Sequence, residues 1–111
     1  MNEIQLRRLN WPHDRAAIGL LDTSFSTTTI YQLHQTELTM HLALVDLASP
    51  FEKHYDLSED YARLPQHDWV LVAEDQSQVV GLAAVEYQQW NRRAVLEHCY
   101  VDRHYRGRGL G

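Results

Sequence analysis

Ten residues, Asp102 to Gly111 (DRHYRGRGLG), alternate glycines with basic side chains, and that pattern suits the capture of an anion. Glycine accepts positive φ and carries no side chain, so successive backbone N–H groups can point into one concavity with room for a phosphate. Arg106 and Arg108 flank the glycines and would add charge, and a helix starting just beyond would add its free N–H groups and dipole. The competing reading is a solvated, glycine-rich end. Two familiar phosphate loops are excluded. The Gly-Lys-Ser/Thr ending of the P-loop is absent, and the glycines run G-x-G-x-G after the last of several strands instead of G-x-G-x-x-G after a first one.

The elements that must position this loop come before it. DWVLVAED, VVGLAAVEYQQW and AVLEHCYVD are apolar runs separated by the turns QSQ and NRR, which predicts an antiparallel meander of three strands over residues 68–102. Strict alternation along VLEHCYV places Val95, Glu97, Cys99 and Val101 on one face and Leu96, His98 and Tyr100 on the other. Earlier, IQLRRLN has the period of a half-buried strand, and the pattern Pro12, Ala17, Ile18, Leu21 predicts a helix from about Pro12 to Asp22. STTTIYQLHQT and LTMHLALVDL read as two strands, a hairpin turning near Glu37. The stretch from Ala48 to Gln66 contains Pro50 and Pro65 and reads as a connection, with a short helix from Ser58 to Leu64 capped by Ser58. An early helix followed by a meander and a glycine loop indicates an α/β (α+β) fold rather than a small barrel.

Length and composition bound the function. At 111 residues the chain reads as a single unit, residues 1–111, with ordinary globular composition. Its net charge of −5 is unevenly spread. Residues 1–91 carry five basic against thirteen acidic side chains, whereas residues 92–111 carry five arginines against two acids. An anion should therefore bind near the end, and the acidic remainder makes the chain a poor nucleic-acid binder. Cys99 is the one cysteine, so no internal disulfide can form, which fits a reducing, cytoplasmic setting. No run is apolar enough for a signal peptide or a membrane span. The histidines lack ligand-like spacing, and no metal is expected.

The stretch LEHCYVDRHYRGRGLG, following VVGLAAVEY, resembles the GNAT superfamily of acetyl-coenzyme A-dependent N-acetyltransferases. Arg106, Gly109 and Gly111 fill its R/Q-x-x-G-x-G/A signature, and the middle of the chain is similar to the streptothricin acetyltransferase-like branch. The resemblance implies a GNAT-like mixed, mainly antiparallel sheet with flanking helices, ending after the fourth core strand, with the later helix and strands of the family lying beyond Gly111. It also implies that backbone groups around Cys99 and Val101 pair with the pantetheine arm of acetyl-CoA. The N–H groups of Gly107, Gly109 and Gly111, with Arg106 and Arg108, would receive the pyrophosphate.

Acyl transfer to an amine needs the amine neutral, hence a general base. By the same resemblance Glu97 is the first choice for that base and His98 its competitor, and the tyrosine that protonates the leaving thiolate in the family would lie beyond Gly111. The alternative role for Glu97 is a solvated or salt-bridged strand carboxylate. The acidic first 91 residues favour a cationic amine or aminoglycoside-like acceptor, with Tyr31, His34, Trp69, Tyr87 and Trp90 as aromatic surface. A second reading is a non-enzymatic interaction module: an open edge on the last strand would pair with another chain or a second copy.

Overall fold

Four strands form the main sheet in the order β1 (Gln5–Arg8), β4 (Trp69–Asp75), β5 (Gln78–Gln88) and β6 (Arg93–Val101), every pairing antiparallel. The structure, a computed structural model, describes residues 3–111. The predicted meander is β4-β5-β6, and the first strand closes its far side by pairing Leu6 with Ala73 and Arg8 with Leu71. Turns at Gln76-Ser77 and around Arg92, all at positive φ, reverse the chain between these strands.

The chain forms two compact units. Among the described residues, one comprises 3–23 and 56–111 and holds the main sheet; the other is residues 24–55. In the first unit, α1 (Arg15–Gly19), α2 (Ser58–Ala62) and a 3-10 turn at Leu64–Gln66 accompany the sheet. Ile18, Leu21 and Leu64 pack with Val70, Val72, Leu82 and Ala84 to form the core, which Tyr61 and Tyr100 border. Alternation sends Val70 and Val72 of β4 and Leu82 and Ala84 of β5 into this core, and Val79 joins it past the register shift at Ala73–Glu74.

α1 is shorter than the predicted Pro12–Asp22. The chain from Trp11 to Asp14 forms a turn, and the Asp14 carboxylate holds it by accepting from the Asn10 N–H (2.6 Å) and from both terminal nitrogens of Arg7 (2.8 and 2.7 Å). Arg7 Nε also donates to Glu74. Against expectation Ser58 is not the cap of α2: Leu57 occupies the N-cap position, and Ser58 donates from its N–H and hydroxyl to Asp56.

The second unit is a long hairpin, β2 (Phe25–Thr36) with β3 (Thr39–Lys53), turning at Glu37 as expected. β3 runs on through Pro50, where the sequence suggests a connection. The register explains this: Thr29 pairs with Asp46 but Thr27 with Phe51, so residues 47–50 bulge opposite Thr28. A proline, which has no N–H for a ladder, is tolerated at such a bulge.

Candidate active site

β6 lies at one edge of the main sheet, and the loop leaving it returns at once to the body of the same unit. The Asp102 N–H donates to the Val80 carbonyl (2.9 Å), and the buried Asp102 carboxylate accepts from the N–H groups of Asp22 (3.0 Å) and His104 (3.0 Å). His104 Nδ1 lies 3.1 Å from the same carboxylate. Burial alone would push the Asp102 carboxyl up, yet these donors outweigh it and hold the group below the usual carboxylate range. A 3-10 turn at Arg103–Tyr105 follows, and the Tyr105 hydroxyl donates to Asp75 (2.7 Å), which raises the Tyr105 pKa.

Gly107 and Gly109 both have positive φ, +79° and +77°, with nothing near the position a Cβ would take. This is the left-handed backbone that the alternating glycines suggest, in open space on the surface. Arg106 and Arg108 differ in what they do. Arg106 donates through Nε to the Val101 carbonyl (2.9 Å) and through a terminal nitrogen to the Asp22 carbonyl (3.2 Å), tying the loop to the end of β6 and to the chain after α1. Arg108 is exposed, its guanidinium 4.9 Å from the centre of the Tyr105 ring.

The two faces of β6 open onto different spaces. Cys99 and Val101 share one face with Leu71, Ala73 and Ala83, and together with Leu110 and Gly111 these residues line an apolar trough of about 140 Å³. Gly81 lets this trough exist: a Cβ there would come 3.2 Å from the Cβ of Ala73 and 3.6 Å from Leu110. Cys99 is exposed and free.

Glu97 is not on that face, contrary to simple alternation. Ala84 pairs with His98 but Val85 pairs with Leu96, so Glu97 is an extra residue, a β-bulge with no partner on β5. The bulge turns Glu97 to the side of His98, and both line a polar cleft of about 330 Å³ with Asp60, Arg63, Gln66, His67 and Glu86. Glu97 is exposed there, rather than buried among apolar neighbours. His98 is half-buried, its ring 5.6 Å from that of His67 and 6.0 Å from that of Tyr100. His67 Nδ1 in turn lies 3.1 Å from the Arg63 carbonyl. Tyr61, which packs against the core, is half-buried, and burial with the neighbouring Tyr100 pushes its hydroxyl up to about 12.

Sequence reasoning brought Glu97 and His98 forward but missed Asp60, Arg63, His67 and Glu86. The parity of Glu86 with Leu82 and Ala84 was the available signal for one of them. Trp69, Tyr87 and Trp90, named for their aromatic surface, are exposed and none lines this cleft. Among the described residues no group of three or more His, Cys, Asp or Glu side chains could hold a metal ion, and no helix is long and apolar enough to cross a membrane.

A model of the acetyltransferase (GNAT) family matches residues 28–111, and the chain belongs to that family. A streptothricin acetyltransferase of Streptomyces lavendulae is 33% identical over 108 residues, covering 90% of this chain and 57% of the relative. The crystal structure of a nourseothricin acetyltransferase superimposes with a TM-score of 0.75 at 29% identity, over 97% of this chain and 59% of that one. A protein of Bacillus anthracis str. Ames, solved in complex with acetyl coenzyme A, gives 0.61 at 24% identity, over 98% and 59%, and shows likeness of fold. The chain therefore spans somewhat under three-fifths of the length of these relatives.

Proposed function

We propose that these residues serve an N-acetyltransferase that moves the acetyl group of acetyl-CoA to a primary amine of a small cationic acceptor, of the streptothricin type named for the relatives. The observation that carries this reading is the loop leaving β6, where Gly107 and Gly109 both hold positive φ. Backbone N–H groups in such a loop suit a pyrophosphate, with Arg108 adding charge. The edge of β6 around Cys99 and Val101 suits the amide-bearing pantetheine arm, which would lie along it as a further strand does. Bound acetyl-CoA supplies an acetyl group already activated as a thioester.

Glu97 is the proposed general base. An ammonium entering the cleft meets the carboxylates of Asp60, Glu86 and Glu97, which favour a cation. Glu97 takes one proton from the ammonium, the freed amine nitrogen bonds to the acetyl carbon, the carbon–sulfur bond breaks, and the second proton shed by the nitrogen ends on the departing sulfur to release CoA. The packing of His98 between two rings, against the accessible position of Glu97, supports this assignment. A cytoplasmic location fits the exposed free thiol of Cys99.

Calorimetric titration with acetyl-CoA tests the reading, repeated with Gly109→Val. Valine at φ +77° is strained by about 1–3 kcal/mol, so the variant should bind roughly tenfold or more weakly. Equal affinity in both proteins would remove the loop from the cofactor site.

A further inference from the structure

The hairpin presents a continuous apolar face. Register places Tyr31 opposite Leu44, Leu33 opposite Leu42 and Gln35 opposite Met40, so these side chains share one side of the ribbon. The five apolar ones are each between 58% and 72% exposed, and Leu38 at the tip is fully so. The other side carries Gln32, His34, Thr36, Thr39 and His41 toward the tip, with the two histidine rings stacked at 5.0 Å, and Ile30, Ala43 and Val45 toward the base. Toward the tip, polarity is thus segregated as in a sheet that covers something with one face.

The area is large. Taking roughly 200 Å² for each fully accessible residue of this size, the five expose about 600 Å², and Leu38 brings the total near the ~800 Å² that each partner buries in a standard interface. Patches of this extent mark interaction sites, and a lone two-stranded hairpin is marginal in water.

We infer that this face is the contact surface for a second copy of the chain, joined about a two-fold axis with Tyr31, Leu33, Met40, Leu42 and Leu44 packed against the same five residues of the partner. A two-fold contact requires a patch that complements itself. No basic side chain lies on this side, and its acid, Asp46 opposite Thr29, sits at the end of the patch beyond Leu44, so the centre of a two-fold contact opposes no like charges. Leucines and a methionine adapt readily to each other's shape. The proposal is independent of the acetyl-CoA site.

Sedimentation equilibrium in reductant, where the exposed Cys99 cannot cross-link, provides the test. The expected result is a dimer that Leu42→Glu converts to monomer and Gln32→Glu, on the opposite side, leaves intact. Leu42→Thr, which keeps a good strand former, should raise the dimer dissociation constant at least about tenfold, because each substitution counts twice in the interface. Circular dichroism establishes that each variant is folded. A wild-type chain that is monomeric up to its solubility limit would overturn the proposal, and protection of the face in such a monomer would mean that it is covered from within the chain. A dimer indifferent to all three substitutions, or one lost equally in Gln32→Glu, would overturn it too.

Discussion

Glu97 and His98, consecutive in a β-strand, line the same cleft. Neighbours in a regular strand point to opposite faces, so the missing partner of Glu97 on β5 is what brings the two side chains together. Bulges commonly re-aim side chains beside active sites, and here the result is an accessible carboxylate beside a ring-packed imidazole.

The two should therefore respond differently to substitution. Glu97→Gln keeps the shape of the cleft but accepts no proton, and should lower kcat for acetyl transfer by about 100-fold or more with the KM for acetyl-CoA unchanged. His98→Gln should cost less in rate and more in thermal stability, since it removes the contacts with His67 and Tyr100. Steady-state kinetics and melting curves on both variants separate a base from a packing residue.

Arg106 and Arg108 should also part company. Arg106 spends its donors on the carbonyls of Val101 and Asp22, so Arg106→Ala loosens the loop and should weaken acetyl-CoA binding with little dependence on salt. Arg108→Ala removes an exposed charge and should weaken binding strongly at low salt and little at high salt. Titrations at two ionic strengths provide the comparison.

Acid stability should rest on Asp14 and Asp102. Each carboxyl is held below its ordinary range, Asp14 chiefly by the Arg7 guanidinium and Asp102 by its donors despite burial. A depressed folded pKa gives stability that is present above the unfolded value of about 3.9 and is lost as pH falls through the folded one. Urea midpoints should thus hold from pH 7 to 5 and fall below about pH 4. Asp14→Asn should cost about 2–3 kcal/mol at pH 7, and should flatten the acid fall.

Gly81 sits where β5 passes Ala73, with Leu110 close by. Gly81→Val would overfill this space and should cost about 1–3 kcal/mol, read as a lower melting temperature. Ala73→Gly should restore part of the loss, since it removes the nearest atom.

The meander is legible in the sequence because Gln76-Ser77 and Arg92 interrupt apolar runs of strand length, and turn chemistry and period agree. The glycine loop is legible for a similar reason, since positive φ has a residue-type signature. The bulge at Glu97 has none: no glycine or proline marks it, and only the register against β5 creates it. Period alone therefore assigns Glu97 to the Cys99 face. The extension of β3 past Pro50 is hidden in the opposite way, by a residue that usually ends strands yet falls in a bulge. α1 is overestimated at its start because Pro12 suits a first helical turn, while the side-chain bonds of Asp14 hold Trp11–Asp14 in a turn.

That Pro50 bulge bears on how the hairpin behaves in a crowded solution. Fibrillar growth needs flat strands whose edges can be copied rung by rung. Four consecutive residues out of register, one of them without an N–H, interrupt any such copying along β3. The flank of the hairpin thus resists templating, so the pairing proposed for its apolar face would stop at two copies instead of running on into a filament.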